Sequence, residues 1–446
     1  RRQRQMCIRD RDIKVKKGKV FCKMANIRYL ISRIVRNKSF RNGIFFSLFS
    51  FLNSGISFLI MMLMARYVQP ESYGKLSLFT TMISLLSIFI CLNTNGMIGV
   101  KFFTSAKVVI QRFLNVILMT SLLVYLLLFT GMLLLKSLFE AWTGLNTSFQ
   151  FCAISICLLQ LFNTVLLDIW RLEEKVGRYG VFSMLTVFSN LILTILFVGL
   201  LKLDWYGRVY AQLLTCLCFS VVALVILVRK GYFKRILPLK KDFVEGYKFG
   251  IPLIPHSTSF WLRQGLDRYI INSFFVQSAV GFFSFAYNFA NIIQIIGFAF
   301  NASYSVNIYK TLATADTDSV RRLRRNCCYL VGVYFLLTLA VCLSASLLIP
   351  LAFPKYNNCI VYLFPLCGGA MFQCFYLVYV NILFFYKKTR TLMYITFSCS
   401  VLHCILSFFL TRYGVIYTSY ISLVSNMLIF VGVYGYARRV LQRMFV

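Results

Sequence analysis

Charge is scarce in this sequence, and acidic charge is scarcest. Of 446 residues, 14% are charged, with 13 Asp and Glu against 48 Lys and Arg, while 59% are hydrophobic. A soluble domain carries about 25% charged and 45–50% apolar residues. The shortage excludes a soluble enzyme, a disordered tail and a nucleic-acid binder that displays basic charge on a folded surface. Long loops are lacking too. The longest connections between apolar runs are 229–248 and 306–325, and those on the less basic side are about a dozen residues or fewer. A membrane glycosyltransferase or glycan polymerase needs a catalytic loop outside the bilayer, so that class is disfavoured and no enzyme activity is expected. Metal-ligand spacing is also missing. The 15 Cys fall mostly within apolar runs, and Cys216, Cys218 and the Cys327–Cys328 pair lack the partners a metal site needs. They read as small apolar helix residues, and neither a metal nor a cofactor is expected.

What is present is membrane-spanning sequence. A bilayer crossing takes about 20 mostly apolar residues, and twelve such runs occur, at 43–65, 76–99, 113–135, 148–168, 179–200, 208–228, 249–276, 281–305, 326–352, 358–385, 391–411 and 413–436. The fold class expected is an all-α polytopic membrane protein. Residues 1–23 stand apart, with ten Lys/Arg, two Asp and no apolar run. Met6-Cys7-Ile8-Arg9-Asp10 looks like the translated end of a transposon used in sequencing libraries. This leader is expected to be non-native, with Met24 as the natural start; a genuine basic tail is the alternative. Without it the net charge of +35 falls to +27. From Met24 on, one set of loops holds 29 Lys/Arg and the opposite set 7. By the positive-inside rule both termini of this multi-pass protein are then cytoplasmic.

A shift of 207 residues lays Arg41-Asn42-Gly43 on Lys248-Phe249-Gly250 and Tyr73-Gly74 on Val280-Gly281, with 31 residues between the glycines in both halves. The reading is two six-helix bundles, 24–228 and 249–446, joined by a basic cytoplasmic linker at 229–248. Six is even, so their pseudo-twofold axis should run along the membrane normal. The repeat isolates one difference. Arg263, Asp267 and Arg268 fall on Ile56, Ile60 and Met61, so ions in the seventh span are not a requirement of the fold.

Intramembrane ions are functional candidates by default. At 100° per residue, His256, Arg263 and Asp267 lie within about 40° of each other, and Gln264 and Arg268 widen the arc to about 140°. Arg263 and Asp267, four apart, can pair along the helix. The triplet of Arg263, Asp267 and Arg268 keeps a surplus of one positive charge, which suits a cavity that receives an anion. In the eighth span Ser284, Tyr287, Asn288, Asn291, Gln294 and Asn301 recur on one side, offering the donors and acceptors a sugar needs. Ser47, Ser50, Ser54 and Ser57 form a milder stripe in the first span. Pro252 and Pro255 should bend or break the start of the seventh span and are candidate gating residues. His256 and Asp267 are candidates for ion coupling. Structural alternatives stand beside each reading: an Arg263–Asp267 pair that locks two helices, amides that join helices, and a serine face for close packing.

Three motifs then resemble one family. Gly250-Ile251-Pro252-Leu253-Ile254-Pro255-His256, Asp267-Arg268-Tyr269-Ile270-Ile271 and Gly281-Phe282-Phe283-Ser284-Phe285-Ala286-Tyr287 look like the second-half signature of Wzx-type flippases. These form the polysaccharide transporter family of the multidrug/oligosaccharidyl-lipid/polysaccharide export superfamily. Ala65-Arg66-Tyr67-Val68-Gln69-Pro70-Glu71-Ser72-Tyr73-Gly74 resembles the pattern after the family's first helix, with Gln69 where Gly is common. The resemblance implies two bundles of six helices and transport without covalent chemistry. The substrate implied is an undecaprenyl-pyrophosphate-linked oligosaccharide, moved from the cytoplasmic to the periplasmic leaflet for O-antigen, capsule or exopolysaccharide synthesis. Alternating access, coupled to an H+ or Na+ gradient, would drive it. Arg263 and Arg268 would then hold the anionic headgroup, and Gln264, Tyr287, Asn288, Asn291 and Gln294 the glycan. The bilayer is a partner, other surface-polysaccharide assembly proteins are candidates, and nucleic acid is not expected. Competing readings are a lipid II flippase, a drug or metabolite exporter of the same superfamily, and the glycan polymerase already disfavoured.

Overall fold

A computed structural model of the chain describes residues 38–445 except 235 and 314–316; the leader at 1–23 lies outside them. Every regular element among the described residues is helical. Six long helices come first: α1 (Lys38–Tyr67), α2 (Pro70–Ile90), α4 (Lys107–Leu134), α6 (Thr147–Leu172), α7 (Val176–Thr194, continued by a π turn to Leu200) and α8 (Asp204–Arg229). Short α3 (Ile98–Thr104) and α5 (Lys136–Thr143) lie between them. Helix α9 (Lys240–Gly250) comes next, and the second lobe holds α10 (Ile254–Gln264), α11 (Leu266–Phe274), α12 (Gln277–Ala313), α13 (Thr317–Ala352), α14 (Ile360–Phe385), α15 (Thr389–Leu410) and α16 (Val415–Phe445). Among the described residues, eleven helices are long and apolar enough to cross a membrane.

The twelfth expected span, 249–276, is in pieces. Pro252 sits in a 3-10 turn and Pro255 in the first turn of α10, where a missing N–H is tolerated. A second break follows at Gly265. A Cβ there would sit 2.6 Å from the Trp261 indole nitrogen and 2.9 Å from a methyl of Thr81, so glycine alone lets the broken span lie this close to α2. Thr317–Arg325 falls in the long connection 306–325. It is the first part of α13, because arginine is a good helix former and extends the helix past the apolar run. Arg208, counted with the loops, is buried in α8 and donates to Asn190 and Thr194.

The two lobes meet along α2 and α12. Ser77 Oγ donates to Ser284 Oγ at 2.7 Å, two residues 207 apart. Gly74 packs on the carbonyl of Gln277 and Gly281 on the carbonyl of Pro70, the same contact made reciprocally at the same offset. Repeat-related residues touch each other only on a twofold axis, so the sequence repeat and the lobe interface share one axis. Helix α9 is docked on the first lobe, with Lys101 Nζ 2.6 Å from Glu245 and Arg112 Nε 3.3 Å from Asp242. Asp242 also accepts the Leu239 N–H at 2.9 Å. Its side chain is 5% exposed, so Asp242→Ala should lower the melting temperature in detergent by an amount equivalent to about 1–3 kcal/mol. An unchanged melting curve would show that this docking contributes no stability.

Candidate functional site

A cavity of ≈ 720 Å³ lies between the lobes, beside the broken span. It runs from Arg268 and Asn288 toward Ile88, Phe298 and Phe384, the end at which α1 begins and α2, α12 and α14 finish. The opposite end is shut. There Trp142 stacks on Tyr269 (centroids 5.0 Å apart, planes 10° apart), and Tyr269 Oη donates to Leu78 O at 3.0 Å. Gln277 Nε2 donates to Gly144 O at 3.3 Å and Tyr356 Oη to Val68 O at 3.2 Å. The α5 cap that carries Trp142 is pinned by Glu140, whose carboxylate accepts both the hydroxyl and the backbone N–H of Thr147 at 2.7 and 2.8 Å. Those bonds hold the Glu140 carboxyl below its ordinary range.

The structure brings His256, Arg263, Gln264, Arg268, Tyr287, Asn288 and Asn291 together on the cavity wall. Two expected residues do not face it. Gln294 is buried behind Gln264 and accepts from its amide at 3.0 Å, so it orients rather than lines. Asp267 points into the second lobe. Its Oδ1 accepts from Ser407 Oγ at 2.7 Å and lies 3.0 Å from His403 Nε2. The expected Arg263–Asp267 pair is therefore absent, because the break at Gly265 interrupts the 100° progression that placed them on one face. Sequence reasoning also missed Thr80, Thr81 and Ser84 of α2 and Gln373 and Tyr376 of α14, all on the cavity wall.

The two arginines differ in their surroundings. Arg268 Nε donates to Ser77 at 2.8 Å and to Ser284 at 3.2 Å, its NH1 donates to Gln264 O, and its guanidinium lies 4.6 Å from the centre of the Tyr287 ring. It thus bonds both lobes on the twofold axis. Arg263 has one side-chain hydrogen bond, to Asn426 Oδ1 at 3.2 Å, and lies over Phe260. Its Nε is buried with no partner, and neither arginine makes an ion pair among the described residues. A buried arginine, 7% exposed as a residue, with an unused donor and lining a cavity, is a site prepared for an anion. A second polar slot of ≈ 380 Å³ lies between α1 and α12. Ser50, Asn53, Ser54 and Ser57 line it, and it shares Asn288 and Asn291 with the main cavity.

This architecture, two lobes of membrane helices around a central polar cavity, is that of the MATE transporters. The inward-facing conformation of a multidrug resistance MATE family transporter of the MOP superfamily aligns with a TM-score of 0.71, at 17% identity over 88% of this chain and 95% of that one. The outward-facing conformation of a multidrug resistance MATE family transporter of the MOP superfamily aligns at 0.58, with 16% identity over 92% and 98%. Residues 39–306 match the polysaccharide biosynthesis protein family and residues 252–409 the MatE family. The chain belongs to the polysaccharide biosynthesis protein family. Two relatives come from Haemophilus influenzae. An uncharacterized membrane protein is 24% identical over 78% of this chain and 83% of its own length. The Lsg locus putative protein 1 is 23% identical over 83% and 89%. The resemblance read from the motifs is thereby upheld at the level of the superfamily and of polysaccharide biosynthesis.

Proposed function

We propose that this protein is a flippase that carries an undecaprenyl-pyrophosphate-linked oligosaccharide from the cytoplasmic to the periplasmic leaflet of the bacterial inner membrane, for surface-polysaccharide synthesis. The observation that carries this reading is Arg263, a buried guanidinium with a free donor and no carboxylate partner, on the wall of a cavity rich in amides and hydroxyls. A pyrophosphate supplies the missing charge, and a glycan uses the amides. The slot between α1 and α12 suits a headgroup that enters from the side while its lipid tail stays in the bilayer. With the basic loops in the cytoplasm, the cavity faces the leaflet where the substrate is made. The bundles 24–228 and 249–446 would rock about α2 and α12, with 229–248 joining them. A drug-exporting reading shares the fold, but a cationic drug would meet two buried guanidinium groups. The test is complementation of a strain lacking its own flippase, together with flipping of a lipid-linked oligosaccharide by the purified protein in proteoliposomes. Movement of the lipid-linked glycan is expected in both, and failure in both at normal expression would overturn the reading.

A further inference from the structure

Behind the cavity wall lies a pair of ionisable groups that substrate holding does not use. Asp267 and His403 are 2% and 0% exposed, and their side chains meet at 3.0 Å. The other ring nitrogen of His403, Nδ1, lies 3.1 Å from Ser425 Oγ. Hydroxyl groups continue from the carboxylate: Ser407 Oγ to Thr411 Oγ1 at 3.4 Å and Thr411 Oγ1 to Thr418 Oγ1 at 2.8 Å, all buried. Thr411 stands in the turn between α15 and α16, at the shut end of the molecule. A file of hydroxyls thus joins the pair to the end opposite the open cavity.

We infer that Asp267 and His403 form a proton-binding site whose occupancy sets the charge of the substrate cavity; this rests on the flippase reading for its use, though not for its existence. The chemistry is that of the imidazole partners. With one ring proton, Nε2–H donates to the Asp267 carboxylate and Nδ1 accepts from the Ser425 hydroxyl. When a proton arrives from water, an N–H bond forms at Nδ1, and the Ser425 oxygen turns from donor to acceptor. In both states each ring nitrogen of His403 keeps its partner, Asp267 at Nε2 and Ser425 at Nδ1. On release the Nδ1–H bond breaks and the proton returns to water.

The groups that face the pair determine the consequence. Arg268 on α11, Tyr287 on α12 and Cys404 on α15 surround Asp267, and Arg263 on α10 lies near Tyr287 and Cys404. From α16 come the Thr418 and Ser425 hydroxyls. Phenols and thiols ordinarily ionise above neutrality, so the charges that count are Asp267, the two arginines and His403. Their sum is +1 with neutral imidazole and +2 with a proton bound. Proton and anion therefore favour each other's binding, and the coupling is reciprocal.

The chain has two His, which makes the site directly visible. In the purified full chain labelled with 15N-histidine, the signal that persists in His256→Gln is His403. Across the pH range in which the protein stays folded, that signal is expected to pass from the one-proton to the two-proton form, with the added proton at Nδ1. No change over that range in the folded protein would overturn the site, whatever the complementation test shows. Farnesyl diphosphate in nanodiscs is the second probe. It should bind about ten-fold tighter at pH 5.5 than at pH 8, measured relative to His403→Gln, which keeps an N–H donor for Asp267 but takes up no proton. An equal pH dependence in wild type and His403→Gln would overturn the link between proton and cavity charge. A purely structural role for His403 would weaken binding by the same factor at both pH values.

Discussion

Arg263→Ala is expected to abolish complementation of a flippase-deficient strain while leaving the thermal stability of the protein unchanged or raised. Most buried charges are held by a partner, and removing one strands the other at a cost of about 3–5 kcal/mol. Arg263 strands nothing of that kind. Its side-chain acceptor is the neutral Asn426, which also donates to Ser422 O at 2.9 Å, and its own Nε has no acceptor at all. The folded state therefore bears a buried cation with one neutral acceptor and no counter-charge, and alanine relieves it, the usual direction of trade between stability and activity at a binding site. Arg263→Lys keeps the charge but loses the planar fork for a pyrophosphate, so partial complementation is expected. Arg268→Ala should also abolish complementation but lower the melting temperature, because it takes the donor from Ser77 and Ser284 on the lobe interface. Full complementation by both alanine variants at normal expression would rule out the assignment.

Gly281→Ala carries the second large effect. The added Cβ would stand 1.9 Å from the carbonyl oxygen of Pro70 and 2.8 Å from its carbon. Both are backbone atoms in the first turn of α2 and cannot swing aside as a flexible side chain would. The helices must separate instead, which breaks the Ser77–Ser284 hydrogen bond and loosens the packing of Tyr73 on Phe285 nearby. Overpacking of this kind costs about 1–3 kcal/mol, and here it falls on the shut end that closes the cavity. Loss of complementation and a lower melting temperature are expected, and Gly74→Ala should reproduce both through Gln277. Wild-type behaviour of either variant would mean that the α2–α12 contact is not required for the transport cycle.

Much of this architecture is legible in the sequence, and the reasons are physical. Apolar runs of bilayer length and a one-sided Lys/Arg bias follow from the solvent, so the spans and the helical class could be read directly. The 207-residue repeat could be read because both halves must supply a glycine where the lobes touch. Pro252 and Pro255 announce their break, whereas Gly265 does not, since a glycine in an apolar run is compatible with an intact helix. That one break misdirected the pairing of Asp267. Its partner His403 is 136 residues away on another helix, and no local pattern reaches that far. A signal was nevertheless available. Thr396, Ser400, His403, Ser407 and Thr411 recur every three or four residues along the eleventh apolar run, and all five are buried. A polar stripe on one face of an apolar helix marks the face turned inward. The same holds for Ser422, Ser425 and Asn426 on α16, which meet it from the other side.

The lobe contact at Gly74 and Gly281 involves main chain against main chain, with the same geometry read in either direction. Arg263, Asp267 and Arg268 belong to the second half, where the first half offers Ile56, Ile60 and Met61. The bearing is shared and the buried ions are not, although Thr80, Thr81 and Ser84 of the first half also line the cavity. A duplicated ancestor could therefore change the charge of its cavity by altering one copy, with the joint that both copies form left untouched. Exchanging the second half between relatives, with α2 retained, is the corresponding way to exchange the cargo.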